Sequence, residues 1–132
     1  MVKPINIYNN FNIKNIHKQS IILIGNFDGL HLGHQKLFRL AKKYKKKYSS
    51  NIGVLTFEPM PKMFFNQNIK NFRISNKKQK IDLLKKLKVN FIIIKRFNRN
   101  FSKIKSIDFI KRILSKKLNA KFIFVSNNFR FG

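Results

Sequence analysis

Residues 21–35 read IILIGNFDGLHLGHQ. The first four form an unbroken aliphatic run, which is typical of a β-strand that is covered on both faces of its sheet. Three glycines follow within nine residues, and an amphipathic helix is predicted from His34 to about Tyr48. Its apolar residues recur at helical spacing: Leu37, Leu40, Ala41, Tyr44 and Tyr48. A buried strand, a glycine-rich turn and a helix in this order favour an α/β fold.

The same alternation of strand-like and helix-like segments continues along the chain. Further strands are predicted at residues 52–57, 91–94 and 122–125. A second helix is predicted with Asn76 as its N-cap, and a third with Ser106 as its N-cap. The apolar stripes of these helices are Ile81, Leu84 and Leu87, and Ile110, Ile113, Leu114 and Leu118. The order β-α-β-α-β-α-β predicts a mainly parallel, three-layer α/β sheet.

The chain divides into a short N-terminal segment and one domain. Residues 1–19 form the segment, in which residues 5–8 fit a short strand, and residues 20–132 form the domain. Ligands of parallel sheets bind beyond the carboxyl ends of the strands. Function is therefore expected in the loops at residues 25–34, 58–61, 96–101 and 126–132.

The charge of the chain is extreme, with 30 Lys and Arg residues against four acids and a net charge of +26. Such a charge is typical of proteins that bind polyanions. However, Lys, Asn and Ile together make up 60 of the 132 residues, and their codons are rich in A and T. A strongly A+T-biased genome gives this composition for any function, and we favour that interpretation. The charge alone therefore does not identify the function.

Composition also excludes several classes of protein. The chain contains no Cys, which excludes disulfides and thiolate metal sites. Its longest aliphatic or aromatic runs are four residues, too short for a membrane helix or for the apolar core of a signal peptide. The hydrophobic fraction of 43% excludes a disordered chain. These features predict a soluble cytoplasmic protein without a membrane partner.

Two of the three histidines of the chain, His31 and His34, lie in the loop between the first buried strand and its helix. Free amide donors and the positive end of the helix dipole favour a phosphate there. A zinc site is a poor alternative because Asp28 is the only acid nearby. The loop contains no Ser, Thr or Cys nucleophile, and the G-x-G-x-x-G and Walker patterns are absent. Phosphate handling by two histidines is the interpretation that remains.

Residues 25–35 resemble the signature of the HxGH nucleotidyltransferases, and the longer string GNFDGLHLGHQ is similar to that of bacterial FAD synthetases. These are the adenylyltransferase half of bifunctional riboflavin kinase/FAD synthetases. TFEPMP at residues 56–61 resembles the TFEPHP segment of that family, and FRFG at residues 129–132 resembles its F-x-F-G. The similarity runs from about residue 20 to the last residue. It implies a Rossmann-like parallel sheet with flanking helices, incomplete at its C-terminus.

The resemblance implies that ATP and FMN react to give FAD and pyrophosphate, with Mg²⁺ as the cofactor. His31 and His34 are the implied catalytic residues, which hold the ATP phosphates and stabilise the charge of the transition state. The implied ATP cradle consists of Gly25, Asn26, Phe27, Asp28 and Gly33. The implied FMN contacts are Glu58, Pro59, Pro61 and Asn128. Asn128 is in addition the one candidate contact to magnesium.

The chain departs from the pattern of the family at several points. Met60 replaces a histidine, and Ser126 stands where glycine is expected, which predicts an unmet backbone requirement at that position. Asn127 is the variable residue that follows. The family continues beyond the position of Gly132 with a Ser/Thr-rich segment ending in Arg and then a riboflavin kinase domain. We therefore expect a truncated adenylyltransferase domain that lacks the kinase domain.

Three other functions remain open at this point. A different HxGH nucleotidyltransferase keeps the chemistry and changes the acceptor, although the segments at residues 58–61 and 129–132 speak against it. A basic nucleic-acid-binding module is supported by composition alone, because the chain has no recognisable RNA- or DNA-binding signature, and no specific nucleic acid is expected as a partner. An inactive fragment of the enzyme is the third alternative.

Overall fold

The computed structural model describes residues 5–27, 32–58 and 77–126. These residues form a five-stranded sheet in which every pair of neighbouring strands is parallel. The spatial order is β1-β4-β3-β2-β5. The strands are β1 (Asn6–Tyr8), β2 (Ile21–Ile24), β3 (Ile52–Glu58), β4 (Phe91–Arg96) and β5 (Phe122–Val125). The prediction of a parallel α/β sheet is confirmed, while the boundary between a segment 1–19 and a domain 20–132 stays a prediction.

Helices connect the strands on both faces of the sheet. They are α1 (Leu32–Tyr48), α2 (Lys77–Lys86), α3 (Arg99–Ser102) and α4 (Ser106–Asp108). A 3₁₀ turn lies at Asn15–His17, and α4 continues into a π-helix at Phe109–Lys117. Within the described ranges, no helix is long and apolar enough to cross a membrane.

Two hydrophobic cores lie on opposite faces of the sheet, because successive side chains of a strand point to opposite faces. On one face, Phe38 and Ala41 of α1 and Leu84 of α2 pack against alternate strand residues. These strand residues are Ile21, Leu23, Ile52, Val54, Ile92 and Ile94. On the other face, the π-helix covers Ile22, Ile24, Leu55, Phe57, Phe91 and Ile93. The result is the three-layer arrangement that the sequence predicts.

A buried histidine packs beside the start of β4. The ring of His17 stacks on Phe91, with centroids 4.4 Å apart, and its Nδ1 lies 2.7 Å from the Tyr8 hydroxyl. Burial, and secondarily the charge of Lys14, lowers the pKa of His17 below its ordinary value of 6.5. The Phe91 ring also occupies the space that a Cβ at Gly53 would need. This position on β3 therefore requires glycine because of close packing.

The predicted stripe of the third helix is partly wrong. Ile110 is 51% exposed, whereas Phe109, Ile113, Leu114 and Leu118 are buried. Phe109 and Leu118 each lie four and five positions from the adjacent pair Ile113 and Leu114, which fits a π-helix with its i→i+5 hydrogen bonds. The Leu118 amide donates to the Ile113 carbonyl in this way, at 2.8 Å. An α-helical period therefore selects the wrong residue at the start of this helix.

Two other local predictions are corrected. Leu40 of α1 is 40% exposed, because the side facing the sheet is set by His34, Phe38 and Ala41. Ser106 is the first residue of α4 and is not its N-cap; Lys105 holds the cap position, without a side-chain hydrogen bond. The predicted cap Asn76 lies outside the described residues.

Candidate functional site

The predicted site lies at the carboxyl edge of the sheet, where β2, β3 and β5 end side by side. The Gly25 amide donates to the Leu55 carbonyl at 3.2 Å, and the Ser126 amide donates to the Ile24 carbonyl at 2.9 Å. The chain leaves β2 toward α1 and β3, while β5 lies on the other side of β2. In open parallel sheets, ligands bind where neighbouring strands lead to opposite sides in this way.

His34 lies in the first turn of α1, as predicted, since the helix begins at Leu32. The residue is 8% exposed, and its ring meets the Phe27 ring edge-on with centroids 5.1 Å apart. Phe27 in turn packs against Phe38, with centroids 5.5 Å apart. This row of rings fixes the imidazole at the end of the helix where backbone N–H groups lack helical partners. A histidine held there is suited to contact an anion.

Phe27 adopts a left-handed backbone conformation with a φ of 50°. A bulky residue at positive φ is uncommon and costs of the order of 1–3 kcal/mol. Its side chain is completely buried, so the packing of the ring against His34 and Phe38 offsets this cost. The backbone at Phe27 is therefore held in this conformation by the core beneath it.

Gly25 is required by the space around it. A Cβ at this position would lie 2.5 Å from the Ser126 Oγ and 3.0 Å from both the Ser126 Cβ and the Phe27 Cζ. Ser126 itself is buried and is not among the described residues with positive φ. The predicted unmet backbone requirement at Ser126 is therefore wrong, and the close approach of the two chain segments places the need for glycine at Gly25.

Asn26 faces two different environments. Its backbone carbonyl accepts a hydrogen bond from the Thr56 hydroxyl at 3.2 Å. Its side-chain Oδ1 is buried, and no donor from the described part of the chain lies within hydrogen-bond distance of it. A buried acceptor without a donor is costly to leave unsatisfied. The Oδ1 of Asn26 therefore keeps the capacity to accept a hydrogen bond.

A buried lysine reaches the same edge from α2. Lys80 is 1% exposed and is the only lysine buried among the described residues. Its Nζ lies 3.0 Å from the Glu58 Oε1 and donates to the Thr56 hydroxyl at 3.1 Å. Sequence reasoning missed this residue. The available signal was a lysine four positions before the buried Leu84, in a chain where lysine is so frequent that the signal carries little weight.

The structure places some of the predicted site residues and leaves others outside its description. Gly25, Asn26, Phe27 and His34 lie together at the carboxyl edge, with Glu58 at the end of β3, and Gly33 lies in the first turn of α1. The predicted residues outside the described ranges are Asp28, His31, Pro59, Pro61 and Asn128, together with Met60 and Asn127. Within those ranges, no cluster of three His, Asp or Glu side chains could hold a metal ion.

Residues 13–132 match the family model described as FAD synthetase. The chain is 42% identical over 121 residues to a bifunctional riboflavin kinase/FMN adenylyltransferase of Buchnera aphidicola from Acyrthosiphon pisum. That match covers 92% of this chain and 39% of the relative. The protein of the same description from Escherichia coli K12 is 32% identical over 127 residues, covering 91% and 41%. The chain therefore spans about two-fifths of the length of these curated relatives.

Solved structures also resemble the chain. A protein from Streptococcus pneumoniae described as a macrolide-efflux protein matches with a TM-score of 0.76 and 28% identity, over 96% of this chain and 42% of that one. A pantoate-beta-alanine ligase from Francisella tularensis, complexed with beta-gamma ATP and beta-alanine, matches with a TM-score of 0.52 and 19% identity. This match covers 87% of the present chain and 48% of the ligase chain. The second likeness concerns the fold alone.

Proposed function

Because the chain belongs to the FAD synthetase family, we propose that its protein transfers AMP from ATP to the phosphate of FMN, giving FAD and pyrophosphate. The observation that carries the proposal is the position of His34. This side chain is held in the first turn of α1, directly after a glycine-containing turn at the carboxyl edge of a parallel sheet. An imidazole at a helix N-terminus is suited to the phosphates of a nucleotide.

In the proposed reaction, an oxygen of the FMN phosphate attacks the α-phosphorus of ATP in line. A P–O bond forms between them, the bond from the α-phosphorus to the bridging oxygen breaks, and pyrophosphate leaves with that electron pair. The FMN phosphate is already anionic, so no base is needed to deprotonate the nucleophile. Phosphoryl transfers of this kind depend mainly on positioning and charge stabilisation. His31 and His34 supply the latter by donating to oxygens of the transferring and leaving phosphates.

The turn after β2 is the proposed ATP cradle. The support from the described residues is the rigid placement of Phe27 and the buried, unsatisfied Oδ1 of Asn26. A ribose hydroxyl or an adenine amino group of ATP can provide the donor that this oxygen lacks. The residues proposed to line the cradle are Gly25, Asn26, Phe27, Asp28 and Gly33.

The segment after β3 is the proposed flavin side. Glu58 lies at the end of that strand with 14% of its side chain exposed, and its Oε1 forms an ion pair with Lys80. A carboxylate offers about four acceptor positions, so Glu58 has the capacity to accept a hydrogen bond from the flavin as well. Pro59, Pro61 and Asn128 complete the proposed FMN contacts. Mg²⁺ in such sites is bound largely through substrate phosphates, so Asn128 is proposed as one further oxygen contact.

The test is FAD formation by the full-length protein with ATP, FMN and magnesium, followed by separation of FAD and release of pyrophosphate. His31→Ala and His34→Ala should each lower the rate by about 10²–10³, the scale for removing one preorganised donor. His17→Gln is the matched control, because this histidine packs beside the start of β4, away from the carboxyl edge. It should keep the wild-type rate at 25 °C.

Two results would contradict the proposal in different ways. If both alanine variants kept the full rate, the roles assigned to the histidines would be wrong. If the wild-type protein used CTP in place of ATP, or nicotinamide mononucleotide in place of FMN, the substrates would be wrong while the HxGH mechanism survived. Circular dichroism of each variant verifies that the comparison is made between folded proteins.

A further inference from the structure

Lys80 is an unusual residue to find in the core of this protein. All but one of the described lysines are at least partly exposed, while Lys80 is 1% exposed and contacts the last residues of β3. Burying a lysine costs free energy unless its charge is paired and its hydrogen bonds are satisfied. The chain has only four acids for 30 cations, and one of them, Glu58, is used to pair this lysine. An apolar residue on α2 would fill the position without that cost.

The contacts of Lys80 with Thr56 and Glu58 follow from the pleat of β3. Thr56 and Glu58 are two residues apart, so their side chains point to the same face of the sheet, the face on which α2 packs. Lys80 reaches both of them from α2, at 3.1 Å and 3.0 Å. The Thr56 hydroxyl then donates to the Asn26 carbonyl at 3.2 Å. One ammonium group thereby connects the end of β3 to the turn after β2.

We propose that Lys80 is a positioning residue for adenylyl transfer, which holds the ATP cradle and the flavin side in a fixed relation. One arm of this connection runs through Thr56 to the backbone of Asn26, and the other is the ion pair with Glu58. The inference rests on the proposed function, since it takes the turn after β2 as the ATP side and the end of β3 as the flavin side.

A fixed relation between the two substrate sites matters because of the geometry of adenylyl transfer. The attacking oxygen of one substrate and the phosphorus of the other react only when they are held close together and in line. In this proposal ATP is bound after β2 and FMN is bound at the end of β3. A change in the distance between these two segments therefore changes the distance between the attacking oxygen and the phosphorus. Hydrogen bonds to a charged donor are roughly twice as strong as those between neutral groups, so they resist displacement more than apolar contacts do. A misplacement of about 1 Å in such a site costs roughly 10² in rate.

The experiment separates the two arms with substitutions in the full-length protein. Lys80→Met removes both arms, so kcat should fall by roughly 10², the scale for a misplacement of about 1 Å between the reacting atoms. The KM for ATP and the KM for FMN should also each rise about tenfold, as expected for the loss of one positioning hydrogen bond on each side. Thr56→Val removes only the first arm and keeps the ion pair, so only the KM for ATP should rise. Glu58→Gln should raise mainly the KM for FMN. Lys78→Met, which makes the same charge change at an exposed position of α2, should leave both values within twofold.

A purely structural role for Lys80 gives a different pattern. The melting temperature would fall, while kcat and both KM values of the folded variant stayed within twofold of the wild type, and this result would overturn the proposal. All assays are run well below the lowest melting temperature. If Lys80→Met does not fold, Thr56→Val and its control Thr56→Ser, which keeps the hydroxyl, decide the question. A KM for ATP that is unchanged in Thr56→Val would then overturn it.

Different results would show that the proposed function itself is wrong. A wild-type protein that binds ATP in equilibrium titrations but forms no FAD would refute that function. The positioning role would then be judged from the dissociation constant for ATP, which Thr56→Val and Lys80→Met should both raise. A wild-type protein that neither binds ATP nor forms FAD would overturn both proposals.

Discussion

Gly25→Ala is the substitution that tests most directly how the turn after β2 is held. The added Cβ would lie 2.5 Å from the Ser126 Oγ and 3.0 Å from the Ser126 Cβ, whereas carbon atoms in contact prefer about 3.5–4.0 Å. Rotation of the hydroxyl relieves only the first contact, so the two backbone segments must separate by about 0.5–1 Å to relieve the second. Overpacking of this kind costs about 1–3 kcal/mol. For a domain of this size, the melting temperature should fall by roughly 3–12 °C.

The assay is a double-mutant cycle measured by thermal or denaturant unfolding. Ser126→Gly removes both crowding atoms, so the double variant Gly25→Ala/Ser126→Gly should regain most of the stability lost in Gly25→Ala. A residual loss is expected from the Phe27 Cζ, which still lies 3.0 Å from the new methyl group. If the effects of the two substitutions were simply additive, Ser126 would not be the reason for glycine at this position. FAD formation by the full-length Gly25→Ala protein should fall by up to about 10², the cost of a 1 Å displacement.

Two further predictions concern stability. The lowered pKa of His17 means that the unfolded chain takes up a proton more readily than the folded chain, so the free energy of unfolding should decrease as the pH falls below about 6.5. Urea titrations at several pH values should show a smaller decrease in His17→Gln, and an identical pH dependence in both proteins would refute the assignment. Ile113→Ala should cost about 2–5 kcal/mol and Ile110→Ala less than about 1 kcal/mol, since only Ile113 is buried. Equal losses in the two variants would contradict the π-helical spacing.

Much of the fold could be predicted because it depends on local patterns. An unbroken aliphatic run of four residues that ends at a glycine, such as Ile21–Ile24, is typical of a strand covered on both faces. The position of His34 in the first turn of α1 follows from the glycine-containing turn and the helical periodicity after it. Where the local pattern was ambiguous, the prediction failed: an α-helical period selected Ile110, and the π-helix buries Phe109 instead.

The sequence by itself determined the alternation of strands and helices and the resemblance of residues 25–35 to the signature of the nucleotidyltransferases, and it predicted a site at the carboxyl edge of the sheet. Only the tertiary structure decided that Lys80 is buried against Thr56 and Glu58, and that Ser126 makes glycine necessary at Gly25. The physical reason is that periodicity is a property of neighbouring residues, whereas burial and pairing depend on which distant segments meet. A lysine in a helix gives no local sign of the carboxylate that it will find on a strand 22 positions earlier.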